Sequence, residues 1–153
     1  METVTLTPIG LVHNSVSLPV DSSWGAIESR IELDSRWAWA LQGLNDFSHV
    51  EILTYLHRIA AGDHEVPIQR RPRGRADMPL LGVFAQRARI RPNPIGLTVC
   101  AIVSVGQTEL VVRGLDAIDG TPVLDIKPYV PLFDRVESPR VPGWVEQLFG
   151  GYF

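Results

Sequence analysis

Lysine is almost missing from this chain: Lys127 is the only one, set against thirteen arginines. Cysteine is equally scarce. Cys100 stands alone, which excludes an intrachain disulfide and a cysteine-based metal cluster. No apolar run approaches the ~18 residues of a membrane-spanning helix. The first residues, Met1-Glu2-Thr3-Val4-Thr5, lack the basic start and apolar stretch of a secretory leader, so a soluble, cytoplasmic protein is expected. Internal repeats and low-complexity segments are absent. No strand pattern runs into a Gly-x-Gly-x-x-Gly turn and a helix, which argues against a dinucleotide-binding α/β fold. His13, His49, His57 and His64 show no His-Glu-x-x-His spacing, so no metal site is expected. Neither Ser104 nor Ser138 has the context of a nucleophile elbow.

What is present fits one globular domain over residues 1–153, with 45% hydrophobic and 20% charged residues, enough for a sizeable core. The net charge of −3 conceals an asymmetry. Arg70, Arg71, Arg73, Arg75, Arg87, Arg89 and Arg91 crowd one window in which Asp77 is the only acid. The remainder carries 7 basic and 16 acidic residues. A basic patch on an acidic body attracts an anionic partner at one place. Nucleic acid fits, and so does the carboxylate or phosphate of a small molecule. The plain alternative is a solvated arginine-rich loop.

Periodicity predicts many short strands. Thr3–Val12 reads as an opening strand and Asn14–Trp24 as a loop. Gly25–Leu33 alternates, with Ile27, Ser29, Ile31 and Leu33 on one side. Asp34 reads as the N-cap of a short helix carrying Trp37, Leu41 and Leu44 inward. Val50–His57 alternates again. Ala61–Pro79 has no apolar period and reads as a long exposed loop. Strands are expected at Leu81–Gln86, at Leu97–Val105 with Leu97, Val99, Ala101, Val103 and Val105 on one face, at Thr108–Arg113 and at Val123–Ile126. Asp119-Gly120 reads as a tight turn, and Pro142–Phe149 as a short helix with Trp144 and Leu148 inward. Short strands separated by turn signals predict a mainly β fold, a barrel or a sandwich.

Two proline-stiffened runs hold polar side chains: Arg91-Pro92-Asn93-Pro94-Ile95-Gly96 and Asp125-Ile126-Lys127-Pro128-Tyr129. Proline fixes φ near ~−65° and restricts its predecessor, so such runs set side-chain directions. Guanidinium groups at Arg87, Arg89 and Arg91 suit carboxylates. Asn93 offers two donors and an acceptor, or caps its own turn. Asp116, Asp119 and Asp125 are followed by Lys127 and Tyr129, a set able to orient a nucleophile or manage a proton. For Asp119 the turn is the better reading. For Asp125 and Lys127, two apart on a strand end, the competing reading is a surface ion pair of little energetic worth.

These motifs carry a resemblance. Gly82-Val83-Phe84-Ala85-Gln86-Arg87, then Arg91 to Gly96, then the run from Asp116 to Pro131 resemble the TsaA-like (TrmO-type) family. Ile9-Gly10, the Gly43–His49 stretch and Leu56-His57 match as well, so the likeness runs across most of Thr7–Asp134. The resemblance implies a small β-barrel with a few short helices that binds S-adenosylmethionine, as a homodimer, and methylates the exocyclic nitrogen of threonylcarbamoyl-adenosine beside the tRNA anticodon. Carried over by motif, the cofactor contacts are His57, Arg58, Arg87, Asn93, Leu97, Arg113, Gly114, Leu115 and Asp116. The first loop, part of the cofactor site in that family, reads Asp21-Ser22-Ser23-Trp24-Gly25 here, which offers the Trp24 indole to an adenine. Asp125, Lys127 and Tyr129 fall on the motif implied to handle substrate, as the catalytic set. Arg70, Arg71, Arg73, Arg75, Arg89 and Arg91 are the expected tRNA contacts. Two other activities suit the same residues: methyl transfer to a small anionic acceptor, and non-catalytic binding of S-adenosylmethionine or RNA.

Overall fold

The computed structural model describes residues 2–62 and 64–153. In chain order its strands are β1 (Gly10–His13), β2 (Glu28–Leu33), β3 (His49–Tyr55), β4 (Gln69–Arg70), β5 (Leu81–Gly82), β6 (Ile95–Val105), β7 (Glu109–Arg113) and β8 (Pro122–Pro128). Short helices lie at α1 (His57–Ala60), α2 (Pro131–Asp134) and α3 (Gly143–Phe149). Six strands close a barrel in the order β1-β2-β7-β6-β3-β8, and every pairing is antiparallel. Closure leaves no barrel strand with an unpaired edge. The sheet β4–β5 stands apart.

Alternation decides which side chains fill the barrel. On β2, Ser29, Ile31 and Leu33 are buried while Glu28 and Glu32 are exposed. On β3, Val50, Ile52 and Thr54 point in. Ile31, Leu33, Val50 and Ile52 build one apolar cluster with Val12, Cys100, Leu110, Val112 and Val123, which Leu41, Leu44, Leu115 and Ala117 join. Polar groups inside are paired. The Asn14 amide donates to the Ser29 hydroxyl at 2.9 Å, and Thr121 donates to the Ile118 carbonyl at 2.7 Å.

Several expectations need correction. The opening strand is Gly10–His13, not Thr3–Val12: Pro8 has no N–H to give a ladder, and pairing starts with the Ile9 N–H on the Val123 carbonyl. The second strand starts at Glu28 because Trp24–Ala26 winds a 3₁₀ turn. The helix after Asp34 does not form. Asp34 caps as expected, accepting from the Arg36 N–H at 3.0 Å, but only a 3₁₀ turn over Ser35–Trp37 follows. Trp39 then takes φ +71°, and the redirected chain delivers Leu41 and Leu44 to the core while Trp37 stays outside. His57 does not end β3 but opens α1. The long loop is interrupted by β4 and by a 3₁₀ turn at Pro72–Gly74, and the Leu81–Gln86 strand shrinks to β5 plus a 3₁₀ turn over Val83–Ala85.

The face of β6 is inverted at its start. Thr98 and Cys100 point in, while Leu97 and Val99 are 43% and 45% exposed. The face with Leu97 and Val99 is the more apolar by sequence, yet it forms an exposed strip, so alternation alone points the wrong way here. A register shift between Ile102 and Ser104 then returns Val105 toward the core. The final strand runs further than expected, Pro122–Pro128. The Asp119-Gly120 turn is present, with Gly120 at φ +76°. The helix at Gly143–Phe149 forms with Leu148 buried.

Candidate functional site

A cleft of about 710 Å³ opens beside the barrel, where non-strand segments from both halves of the sequence meet. The first loop supplies Asp21 and Trp24, α1 supplies His57 and Arg58, β4 supplies Arg70, and the stretch after the Val83–Ala85 turn supplies Arg87 and Arg89. Asp116 and Ile118 come from the connection between β7 and β8. Trp144, Phe149 and Tyr152 close it from α3 onward.

Local chemistry holds these pieces still. Asn14 is the hinge pin of the floor: its amide donates to the Ala117 carbonyl at 2.8 Å, and its side-chain oxygen accepts from the Val16 N–H at 2.9 Å. Asp119 accepts from the Asn14 N–H at 3.1 Å and so serves its turn. Arg87 donates to the Leu97 carbonyl at 2.6 Å, which ties the arginine stretch to the start of β6. Gly96 lies where a Cβ would sit 2.4 Å from the Thr54 hydroxyl oxygen, so close strand packing, not an approaching ligand, requires glycine there.

Asp116 is the electrostatic centre of the cleft. Burial raises its carboxyl above the ordinary value; the Tyr152 hydrogen bond and the charges of Arg89 and Arg87 oppose that rise. The Tyr152 hydroxyl donates to Asp116, and burial with that bond pushes the phenol well above its usual range. Tyr152 is itself held by its backbone: the Trp24 N–H donates to the Tyr152 carbonyl at 3.0 Å, and the Ser23 N–H to the Gly151 carbonyl at 3.3 Å. Sequence reading missed Tyr152. Its signal was a density of aromatics at Trp144, Phe149, Tyr152 and Phe153, but nothing in the residue order pairs it with Asp116.

The motif-derived residues divide in three. Trp24, His57, Arg58, Arg87, Leu97 and Asp116 line the cleft. Trp24 does so as floor, 1% exposed with its indole N–H donating to the Val20 carbonyl at 3.2 Å, so it offers no free plate for an adenine. Asn93, Arg113, Gly114 and Leu115 do not line it. Asn93 is exposed with its carbonyl accepting from the Ile95 N–H, Arg113 pairs with Glu28 at 2.6 Å, and Gly114 and Leu115 are buried. Asp125, Lys127 and Tyr129 form the third group. Lys127 and Asp125 make an ion pair at 2.6 Å on the outer wall of the barrel, opposite Glu51 and Leu53 of β3. Tyr129 follows β8, half-buried, its N–H on the His49 carbonyl.

The arginine window divides similarly. Arg70, Arg73, Arg89 and Arg91 line the cleft. Arg73 stacks on Phe149 at 5.6 Å and donates to the Asp21 carbonyl at 3.1 Å. Arg75 is neutralised by Asp77 through two hydrogen bonds, at 3.0 and 2.5 Å. Arg71 braces the loop by donating to the Met78 carbonyl. Arg58, Arg70 and Arg89 make no ion pair among the described residues, and Asp21 and Asp116 are the carboxylates that share the cleft with them. No cluster of metal-ligating side chains occurs among the described residues.

Comparison with known proteins agrees with this architecture. The family model of the tRNA-methyltransferase O N-terminal domain matches residues 12–135. A probable S-adenosyl-L-methionine-binding protein of Pyrococcus abyssi is 37% identical over 146 residues, 92% of this chain and 75% of that protein. The tRNA (adenine(37)-N6)-methyltransferase of Escherichia coli is 44% identical over 103 residues, which cover 63% of this chain but 42% of that enzyme. The crystal structure of TrmO from Pseudomonas aeruginosa superposes with a TM-score of 0.73 at 34% identity, over 91% of this chain and 61% of that one.

Proposed function

The chain belongs to the tRNA-methyltransferase O N-terminal domain family, the TsaA-like barrels whose motifs it carries, and from that premise we propose an S-adenosylmethionine-dependent N-methyltransferase. Its acceptor is the exocyclic nitrogen of threonylcarbamoyl-adenosine next to the tRNA anticodon. One observation carries the reading: a cleft in which a half-buried carboxylate, Asp116, feels the guanidinium charges of Arg89 and Arg87. That donor set fits the two poles of S-adenosylmethionine. Asp116 accepts from nucleoside hydroxyl or amino groups, and an arginine fork takes the amino-acid carboxylate. The bound sulfonium supplies an electrophilic methyl: the nitrogen–carbon bond forms as the sulfur–carbon bond breaks, and the nitrogen's proton passes to a base. The protein's task is positioning more than acid–base chemistry.

Arg58, Arg70 and Arg89 meet the phosphates of the anticodon loop at the cleft mouth. Arg75 and Arg71 serve their own loop instead. A homodimer is part of the reading. Ile95 and Leu97, at the edge of the cleft, continue with Val99 as an exposed apolar strip on the outer wall, opposite Tyr55, Leu53 and Glu51 of β3. A second copy laid on that wall covers the strip and gives Asp125, Lys127 and Tyr129 a substrate to act on, with Asp125 or Tyr129 taking the proton and Lys127 holding negative charge.

Calorimetric titration with S-adenosylmethionine, followed by methyl transfer to threonine tRNA bearing the threonylcarbamoyl group, tests this. Binding with methylation is expected. Binding without methylation would redirect the search to small acceptors or regulation, and absence of binding would end the methyltransferase reading.

A further inference from the structure

Phe84 is 78% exposed, yet the backbone on either side of it is held by hydrogen bonds. It sits at the middle of the Val83–Ala85 turn. The Val83 N–H donates to the Ile68 carbonyl at 3.0 Å. Arg91 reaches back beneath the turn and donates to the Gln86 carbonyl at 2.6 Å and to the Val83 carbonyl at 3.5 Å. The buried Gln86 amide donates to the carbonyls of Arg70 at 2.8 Å and Leu81 at 3.1 Å. Four hydrogen bonds from these side chains thus brace the turn and its flanks, and the one large side chain that the turn presents outward is an aromatic ring.

The ring is a ridge between two hollows. On one side is the cleft. On the other is a second hollow of about 450 Å³, lined by Val66, Ile68, Val83, Pro92 and the amide-bearing Gln69. Neighbours on β4 part company at this ridge: Gln69 lines the second hollow and Arg70 lines the cleft. Arg91 holds its guanidinium 5.9 Å from the centre of the Phe84 ring, so one face of the phenyl is backed by a cation.

We propose that Phe84 is a stacking platform for an unpaired nucleobase, the one flanking the methyl acceptor. The second hollow receives that base, and the cleft receives the acceptor. This rests on the tRNA-methyltransferase reading. A base inside a duplex cannot present its face to a side chain, so the ligand is single-stranded RNA bent over the ridge. The charge distribution selects RNA over an apolar peptide. Arg70 and Arg89 stand on the cleft side for phosphates, and the hollow offers an aromatic ring, aliphatic walls and one amide for a base edge. Preorganisation matters too: a platform already rigid before binding loses little entropy when a base lands on it.

The test uses an anticodon stem-loop RNA with 2-aminopurine at the loop position 3′ to the acceptor adenosine, a fluorophore quenched by stacking. The whole chain and its F84L and F84W variants are compared, with cofactor titration and a melting curve to show that each is folded. The wild type and F84W should quench the probe. F84L should leave it bright and bind the RNA about 5- to 150-fold more weakly, the loss of one stacked base. Wild-type RNA affinity and quenching in F84L would overturn the proposal, as would failure of the wild type to bind the RNA. A change in oligomeric state in F84L would also overturn it, because the ring would then belong to an interface between copies. Should the wild type bind RNA and quench but bind no cofactor, the methyltransferase reading fails while the platform stands.

Discussion

The barrel interior and the cleft are built on opposite rules. The interior is assembled from strands whose alternation sends Ile31, Val50, Ile52, Leu110 and Val112 to one side, and its few polar groups are silenced by a neighbour. The cleft is assembled from segments with little regular structure. They are fixed by side chains reaching into backbone: Asn14 to Ala117, Arg87 to Leu97, Gln86 to Arg70 and Arg91 to Gln86. The interior draws its stability from area removed from water. The cleft gathers charged side chains that the interior excludes, and this is why the two regions answer differently to substitution.

The largest contrast comes from Leu110→Ala. Leu110 is fully buried, so its truncation should cost about 2–5 kcal/mol in urea unfolding. Asp116→Ala should do the reverse: the unfolding midpoint moves little, but S-adenosylmethionine affinity in calorimetry falls by roughly 10- to 100-fold, as when a charge-assisted hydrogen bond is lost. Equal loss of stability in the two variants would erase the distinction between frame and cleft.

Asp116→Asn sharpens it by pH. Asp116 has its folded carboxyl raised above the unfolded value by burial, so its favourable contribution is complete below that unfolded value and disappears as pH rises through the folded one. The amide keeps an acceptor for Tyr152 and never ionises. Its stability relative to wild type should therefore rise from about pH 4 toward neutrality, measured as denaturation midpoints across that range. A constant difference would mean that Asp116 does not titrate in that window. The smallest structural effect belongs to Lys127→Ala. The pair with Asp125 is solvent-exposed, and the melting temperature should not move. A fall in methyl transfer would then be chemical in origin, and a wild-type rate would remove Lys127 from the mechanism.

The same division explains what the residue order reveals. The mainly β fold, the core faces of β2 and β3, the β6–β7 hairpin and the Asp119-Gly120 turn follow from alternation and turn chemistry, which are local signals. Failures arose where a tertiary demand overrode the pattern. Trp39 at positive φ broke an apparent helix, and the more apolar face of β6 starts as an exposed outer strip. Of the cleft, the motifs located Arg87 and Asp116, but they could not say that Gly114 and Leu115 face away or that Trp24 is floor. Tyr152 meets Asp116 across 36 residues of chain, and no period or spacing encodes such an encounter.

That encounter bears on how the molecule tolerates additions. Residues 23–24 and 151–152 are joined backbone to backbone, and a Cβ on Gly25 would strike the Phe153 backbone at 2.7 Å. Anything fused behind Phe153, whether an affinity tag, a linker or a whole second module, would emerge beside the cleft and compete for the space over it. Residues 2–8, all exposed, carry no such conflict. Chain added behind Phe153 would therefore act on access to the cleft, which makes that position a lever on binding and not a neutral handle.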